Sequence, residues 1–96
     1  MATTKEYRDF ILEQLNPSDN ITVKPMMGEY LLYKDGVLFG GIYDNRFLVK
    51  ITESNKKYGL TTALPYDGAK PMFSVDEVDD KEKLKDIVLD TCKGLL

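Results

Sequence analysis

The spacing of the apolar segments between Ile21 and Ile51 constrains this chain more than any other feature. Ile21 and Val23 alternate with Thr22 and Lys24, and three further β-prone runs follow at Glu29–Tyr33, Val37–Tyr43 and Arg46–Ile51. A parallel pair of strands needs a crossover of about a dozen residues or more, and these short breaks leave no room for one. The runs must pair as an antiparallel meander. Lys34-Asp35-Gly36 and Asp44-Asn45 supply the chemistry of tight turns. Pro25, which has no amide hydrogen, is expected to end or bend the first strand. Gly40 and Gly41 fall in mid-strand and predict a bulge or a close backbone approach, hence a strongly bent sheet.

Helical patterns flank the meander. Thr3 followed by Glu6 has the spacing of a capping box, and Tyr7, Phe10, Ile11 and Leu15 form one apolar stripe behind it. Asn16-Pro17-Ser18-Asp19-Asn20 should stop that helix. Thr52 to Tyr58 suits a short helix capped by Thr52 and terminated by Gly59. Leu60 to Lys70 is turn-rich and expected to be loop. Pro71 to Val75 is a fifth strand, with Pro71 confining it to an edge or a strand start. A last helix should begin at Asp79 or Asp80, with Asp79 and Glu82 as its cap pair. Leu84, Ile87, Val88, Thr91 and Leu95 make its inward stripe, and Gly94 weakens its end. The expected class is α+β in the order α-β(4)-α-β-α. A curved antiparallel sheet of about five strands carries the N- and C-terminal helices on one face and leaves the other face freer. Ninety-six residues make one domain, 1–96.

Composition removes several function classes. The chain contains no histidine and one cysteine, so Ser-His and Cys-His nucleophile pairs and a Cys/His zinc site have no residues to draw on. A single cysteine makes no internal disulfide. Thirteen Lys and Arg stand against sixteen Asp and Glu, a net charge of −3. That balance argues against a protein that tracks nucleic-acid phosphates, which needs a concentrated cationic footprint. The first residues lead straight into charged sequence, without the apolar stretch of a signal peptide, and no apolar run approaches the ~20 residues of a membrane span. A soluble, cytoplasmic protein with no cofactor is expected.

The densest feature runs from Pro25 to Gly36. Read as architecture, Met26 and Met27 fill gaps in the core and Gly28 relieves the backbone after Pro25. Read as function, Met27, Glu29, Tyr30 and Tyr33 form a soft aromatic contact surface, with Glu29 available as an acid. Asp76, Glu77, Asp79, Asp80 and Glu82 have no mid-loop glycine and read as a solvated helix start rather than a calcium loop. Lys56-Lys57-Tyr58 is a basic-aromatic fragment too small to hold nucleic acid. Cys92 reads as packing near a helix C-terminus. Lys50 is a candidate reactive amine only if a pocket surrounds it.

The run PMMGEYLLYKDGVLFGGIYDNRFLVK resembles the N-terminal domain of the TfoX/Sxy family, bacterial regulators of competence genes. Met26, Met27, Gly28, Tyr30, Tyr33, Asp35, Gly36, Phe39, Gly40, Phe47 and Lys50 carry the resemblance, and Pro65-Tyr66 and Met72-Phe73 match later segments in degenerate form. The resemblance spans nearly the whole chain, as a stand-alone single-domain member. It implies a secretion-chaperone-like α+β domain with a regulatory rather than catalytic role. The leading expectation is therefore a non-enzymatic regulatory domain that binds a protein partner or forms a homodimer. The alternatives are a regulator that binds DNA or RNA directly and a small enzyme using Asp, Glu, Tyr or Lys.

Overall fold

A computed structural model describes residues 3–15 and 20–95. Helix α1 (Lys5–Gln14) precedes strands β1 (Ile21–Met26), β2 (Glu29–Lys34), β3 (Val37–Ile42) and β4 (Phe47–Val49). A 3-10 helix (Glu53–Tyr58), strands β5 (Thr61–Ala63) and β6 (Met72–Val75) and helix α2 (Lys81–Leu95) complete the order. The strands form one antiparallel sheet in the order β1-β2-β3-β4-β6-β5. The α+β class, the meander and the two terminal helices are as the sequence predicts. The sixth strand is an addition: β5 lies inside the segment expected to be loop. Thr61, Thr62 and Ala63 are recruited by pairing with Ser74, Phe73 and Met72, a long-range contact without local signal.

Three two-residue turns set the register. Met27-Gly28, Asp35-Gly36 and Asp44-Asn45 all hold positive φ at both positions, as type I′ turns require. The last two were legible, but Met27-Gly28 was not, because methionine is unusual at such a position. Gly28 serves the turn, and Met27 is 98% exposed rather than in the core. Pro25 does not end β1. It pairs with Tyr30 in mid-strand, tolerated because β1 is the sheet's edge. The expected bulge is present: Leu32 pairs with Gly40 and Tyr33 with Leu38, so Phe39 is the extra residue.

The cap of α1 is Thr4, whose side chain accepts from the Tyr7 amide, and not Thr3. Thr3 is drawn away by Glu29, which lies in the sheet, and is buried there. The predicted Asn16–Asp19 turn lies outside the described residues. Thr52 and Gly59 bound the 3-10 helix as expected, with Asn55 closing a reciprocal capping box. Asp80, not Asp79, caps α2 by accepting from the Lys83 amide at 3.1 Å. Pro71 precedes β6, which lies between β4 and β5, so it marks a strand start rather than an edge.

One face of the sheet carries the core. Leu32, Ile42, Phe47, Val49, Phe73 and Val75 meet Ile11 and Leu15 of α1 and Leu84, Ile87 and Val88 of α2. Fully buried Asn55 donates to the Lys50 carbonyl and to Thr91 Oγ1, both at 2.8 Å, fastening the 3-10 helix to α2. Cys92 packs into this core, where burial pushes its thiol up. None of the helices among the described residues is long and apolar enough to cross a membrane.

Candidate functional site

Side chains alternate across a strand, so the neighbours of the core residues point the other way. Phe47 and Val49 face the helices and Leu48 faces out; Phe73 and Val75 face the helices and Met72 faces out. By pairing, Leu38 lies opposite Tyr33 on this outer face, beyond the bulge. Leu48 is nevertheless fully buried, so the outer face is a second, partly covered surface rather than bare sheet.

The segment 64–71 runs along this face, and its placement is specified by one arginine. Arg46 Nη2 donates to the carbonyls of Leu64 at 3.0 Å and Pro65 at 3.4 Å, while its Nε donates to the Tyr43 carbonyl at 3.2 Å. The β3–β4 turn is thereby tied to the start of the loop. The loop then reverses at Tyr66–Ala69, where the Ala69 amide donates to the Tyr66 carbonyl and Gly68 takes φ +84°. The Tyr66 and Tyr43 ring centroids are 6.4 Å apart and the planes tilted by 53°, a favourable aromatic arrangement. Burial pushes the Tyr43 phenol above its ordinary value, with Tyr66, Glu29 and Tyr33 adding to the effect. Tyr43 is thus a neutral hydroxyl at physiological pH.

Between loop and sheet lies an open groove of about 660 Å³. Leu38 and Met72 contribute from the sheet, Tyr43 from the β3–β4 connection, and Pro65, Tyr66 and Pro71 from the loop. Its charged lining residues are Lys50 and Lys70, and no carboxylate lines it. Five large apolar side chains are exposed among the described residues, and three of them cluster here: Ile51 (37%) and Tyr66 (59%) in the lining, and Leu64 (47%) beside it. The clustering matters because single exposed apolar residues are ordinary, whereas a contiguous patch marks a contact surface.

The residues singled out in the sequence are not gathered at one place. Met27 stands at the tip of the β1–β2 turn. Glu29 is consumed internally: its carboxylate accepts from the Thr3 amide (2.9 Å), the Thr3 hydroxyl (2.7 Å) and the Asp44 amide (3.0 Å). Tyr30 packs against the core with the Arg8 guanidinium 5.3 Å from its ring centroid. Tyr33, three residues on, faces the opposite side, in a shallow depression with Thr22 and Lys24. Lys50 does lie in a groove, but neither Glu29 nor Tyr33 lines it. The Lys56-Lys57-Tyr58 fragment is engaged within the fold although its lysines are exposed: Lys56 pairs with Glu53, Lys57 with Asp90, and the Tyr58 hydroxyl donates to Asp90 at 2.5 Å. In the acidic stretch Asp76 accepts from Ser74, Glu77 pairs with Lys83 and Asp80 caps α2.

Sequence reasoning missed Tyr43, Arg46, Leu64 and Tyr66 as parts of one site. A glycine two positions before an aromatic residue in a strand, Gly41-Ile42-Tyr43, was the available signal, since such residues share a face.

Comparison with known proteins finds one matching family and a relative of similar length. Residues 13–93 match the model of the family described as the TfoX N-terminal domain. An uncharacterised 12.7 kDa protein in the trpE 5′ region of Spirochaeta aurantia is 33% identical over 98 residues, covering 99% of this chain and 85% of that protein. No solved structure matches.

Proposed function

Because this chain belongs to the TfoX N-terminal domain family, we propose that it is a small non-catalytic regulatory module that acts by binding another protein through the groove on the outer face of its sheet. The observation that carries this reading is the gathering of exposed Ile51, Leu64 and Tyr66 around a loop that Arg46 fixes in place. Leaving three large apolar groups in water at one spot is unfavourable unless a partner covers them. The sheet edges support a face-on contact. Edge strand β1 carries Lys24 and Pro25, which discourage strand addition, and edge strand β5 is only three residues long. A non-catalytic reading is supported by the Glu29 carboxylate being taken up by Thr3 and the Asp44 amide, and by Lys50 lining a groove that neither Glu29 nor Tyr33 lines. A cytoplasmic setting goes with this reading and with a lone, buried cysteine.

Site-specific photo-crosslinking tests the proposal. A photoreactive residue in place of Tyr66 should give discrete protein adducts in cells that express the protein. The same residue in place of Lys93, exposed on α2, should give none. Absence of Tyr66 adducts, or identical patterns from both positions, would overturn it. An adduct of twice the chain mass would identify the partner as a second copy.

A further inference from the structure

We infer that the segment the groove receives is an extended, apolar stretch of a partner protein that carries carboxylates beside its hydrophobic residues. This rests on the groove being the contact surface, and adds the chemistry of what it contacts. The argument starts from charge. Acidic residues outnumber basic ones, sixteen to thirteen, yet the groove is lined by two lysines and no Asp or Glu. Lys50 directly follows β4 and Lys70 comes from the loop. Neither ammonium has a carboxylate partner among the described residues, and they are the two charged side chains that line the groove. The surface therefore presents uncompensated positive charge where its apolar side chains are exposed. A complementary partner supplies carboxylates to those amines while its hydrophobic side chains meet Leu38, Tyr66 and Met72.

Shape favours a polypeptide over a small molecule. A compact ligand seated among the lining residues would leave exposed Leu64, which lies beside the groove, in water. An extended chain covers floor and rim together, placing alternate side chains down into the groove.

A phage-displayed library of random linear peptides, panned against the intact protein, tests the inference. The enriched peptides should place Asp or Glu next to Leu, Ile or Phe and lose binding to Y66A. Their affinity should fall roughly tenfold or more in the double variant K50E/K70E, survive in K50R/K70R, and weaken as salt rises. Circular dichroism and the thermal midpoint establish that each variant is folded. Enriched peptides that are neutral or basic, or that bind K50E/K70E as well as the wild type while still requiring Tyr66, would overturn the inference and leave the groove reading standing. Failure to enrich any Tyr66-dependent peptide would overturn both. A dimer in light scattering that Y66A dissociates would replace the acidic segment with a second copy of the chain.

Discussion

The Tyr43 ring occupies the space that a side chain at Gly41 would fill. A Cβ on Gly41 would come within 2.6 Å of Tyr43 Cε2, and equally within 2.6 Å of the Tyr30 carbonyl oxygen. Gly41 is thus the seat of an aromatic ring in the groove, and its place in mid-strand is a packing requirement. The substitution G41A should destabilise the protein by about 1–3 kcal/mol, because the carbonyl belongs to the sheet and cannot step aside. Urea unfolding measures this, and an unchanged midpoint would show that the ring has another seat.

Arg46 predicts a separation of stability from binding. Removing its side chain in R46A frees the carbonyls of Leu64 and Pro65 without opening the core. The cost to global stability should be modest, about 1–2 kcal/mol, in the range of lost hydrogen bonds to a charged group. Amide exchange across residues 64–71 should accelerate strongly, and Tyr66-dependent peptide binding should drop with it. Unaltered exchange in that segment would mean that the loop holds itself.

Glu29 tests the difference between a contact residue and a clasp. In E29A the buried Thr3 hydroxyl and the Asp44 amide lose their shared acceptor, and the expected loss is about 1–3 kcal/mol. Protection of the Thr3 amide should fall, since the Glu29 carboxylate is one of its two acceptors, beside the Gly28 carbonyl. Groove binding should remain. Loss of binding with full stability would move Glu29 into the interface.

The Tyr58–Asp90 pair gives a pH signature of defined sign. Burial first, then the Asp90 carboxylate, pushes the Tyr58 phenol up from 10.0 to about 12. The Tyr58 hydroxyl, followed by Lys57, holds Asp90 below its ordinary 3.8. Asp90's contribution is present above pH 3.8 and is lost as pH falls through its lower folded value. Tyr58's contribution is present below pH 10.0 and is lost as pH rises through about 12. The stability difference between wild type and Y58F should therefore be flat across neutral pH and shrink at both ends. A difference that stays constant from acid to alkali would contradict the pairing.

Local signals made most of the fold readable in advance. The Thr52 and Gly59 caps, the Asp35-Gly36 turn and the α2 stripe are decided by neighbours in sequence, and they came through. The errors share a different cause. Thr3 fits a cap until Glu29 claims it, Pro25 reads as a strand end or bend and β1 instead runs on past it as an edge, and Thr61–Ala63 has no strand signal apart from β6. Each was settled by a distant partner. The groove was the least legible part for the same reason: Arg46 reaches carbonyls eighteen and nineteen residues away, and backbone carbonyls leave no mark in a sequence. The tyrosines of the meander announced an aromatic surface, but the side each one faces depends on register and on the bulge at Phe39.

Methyl and backbone NMR of the isotope-labelled protein, titrated with the partner that cross-links at position 66, tests the central claim most directly. Resonances of Leu38, Ile51, Leu64, Tyr66 and Met72 should shift or broaden, while those of Met27 and of α2 stay in place. A footprint centred on the Met27 turn, or on the helical side of the sheet, would contradict the account.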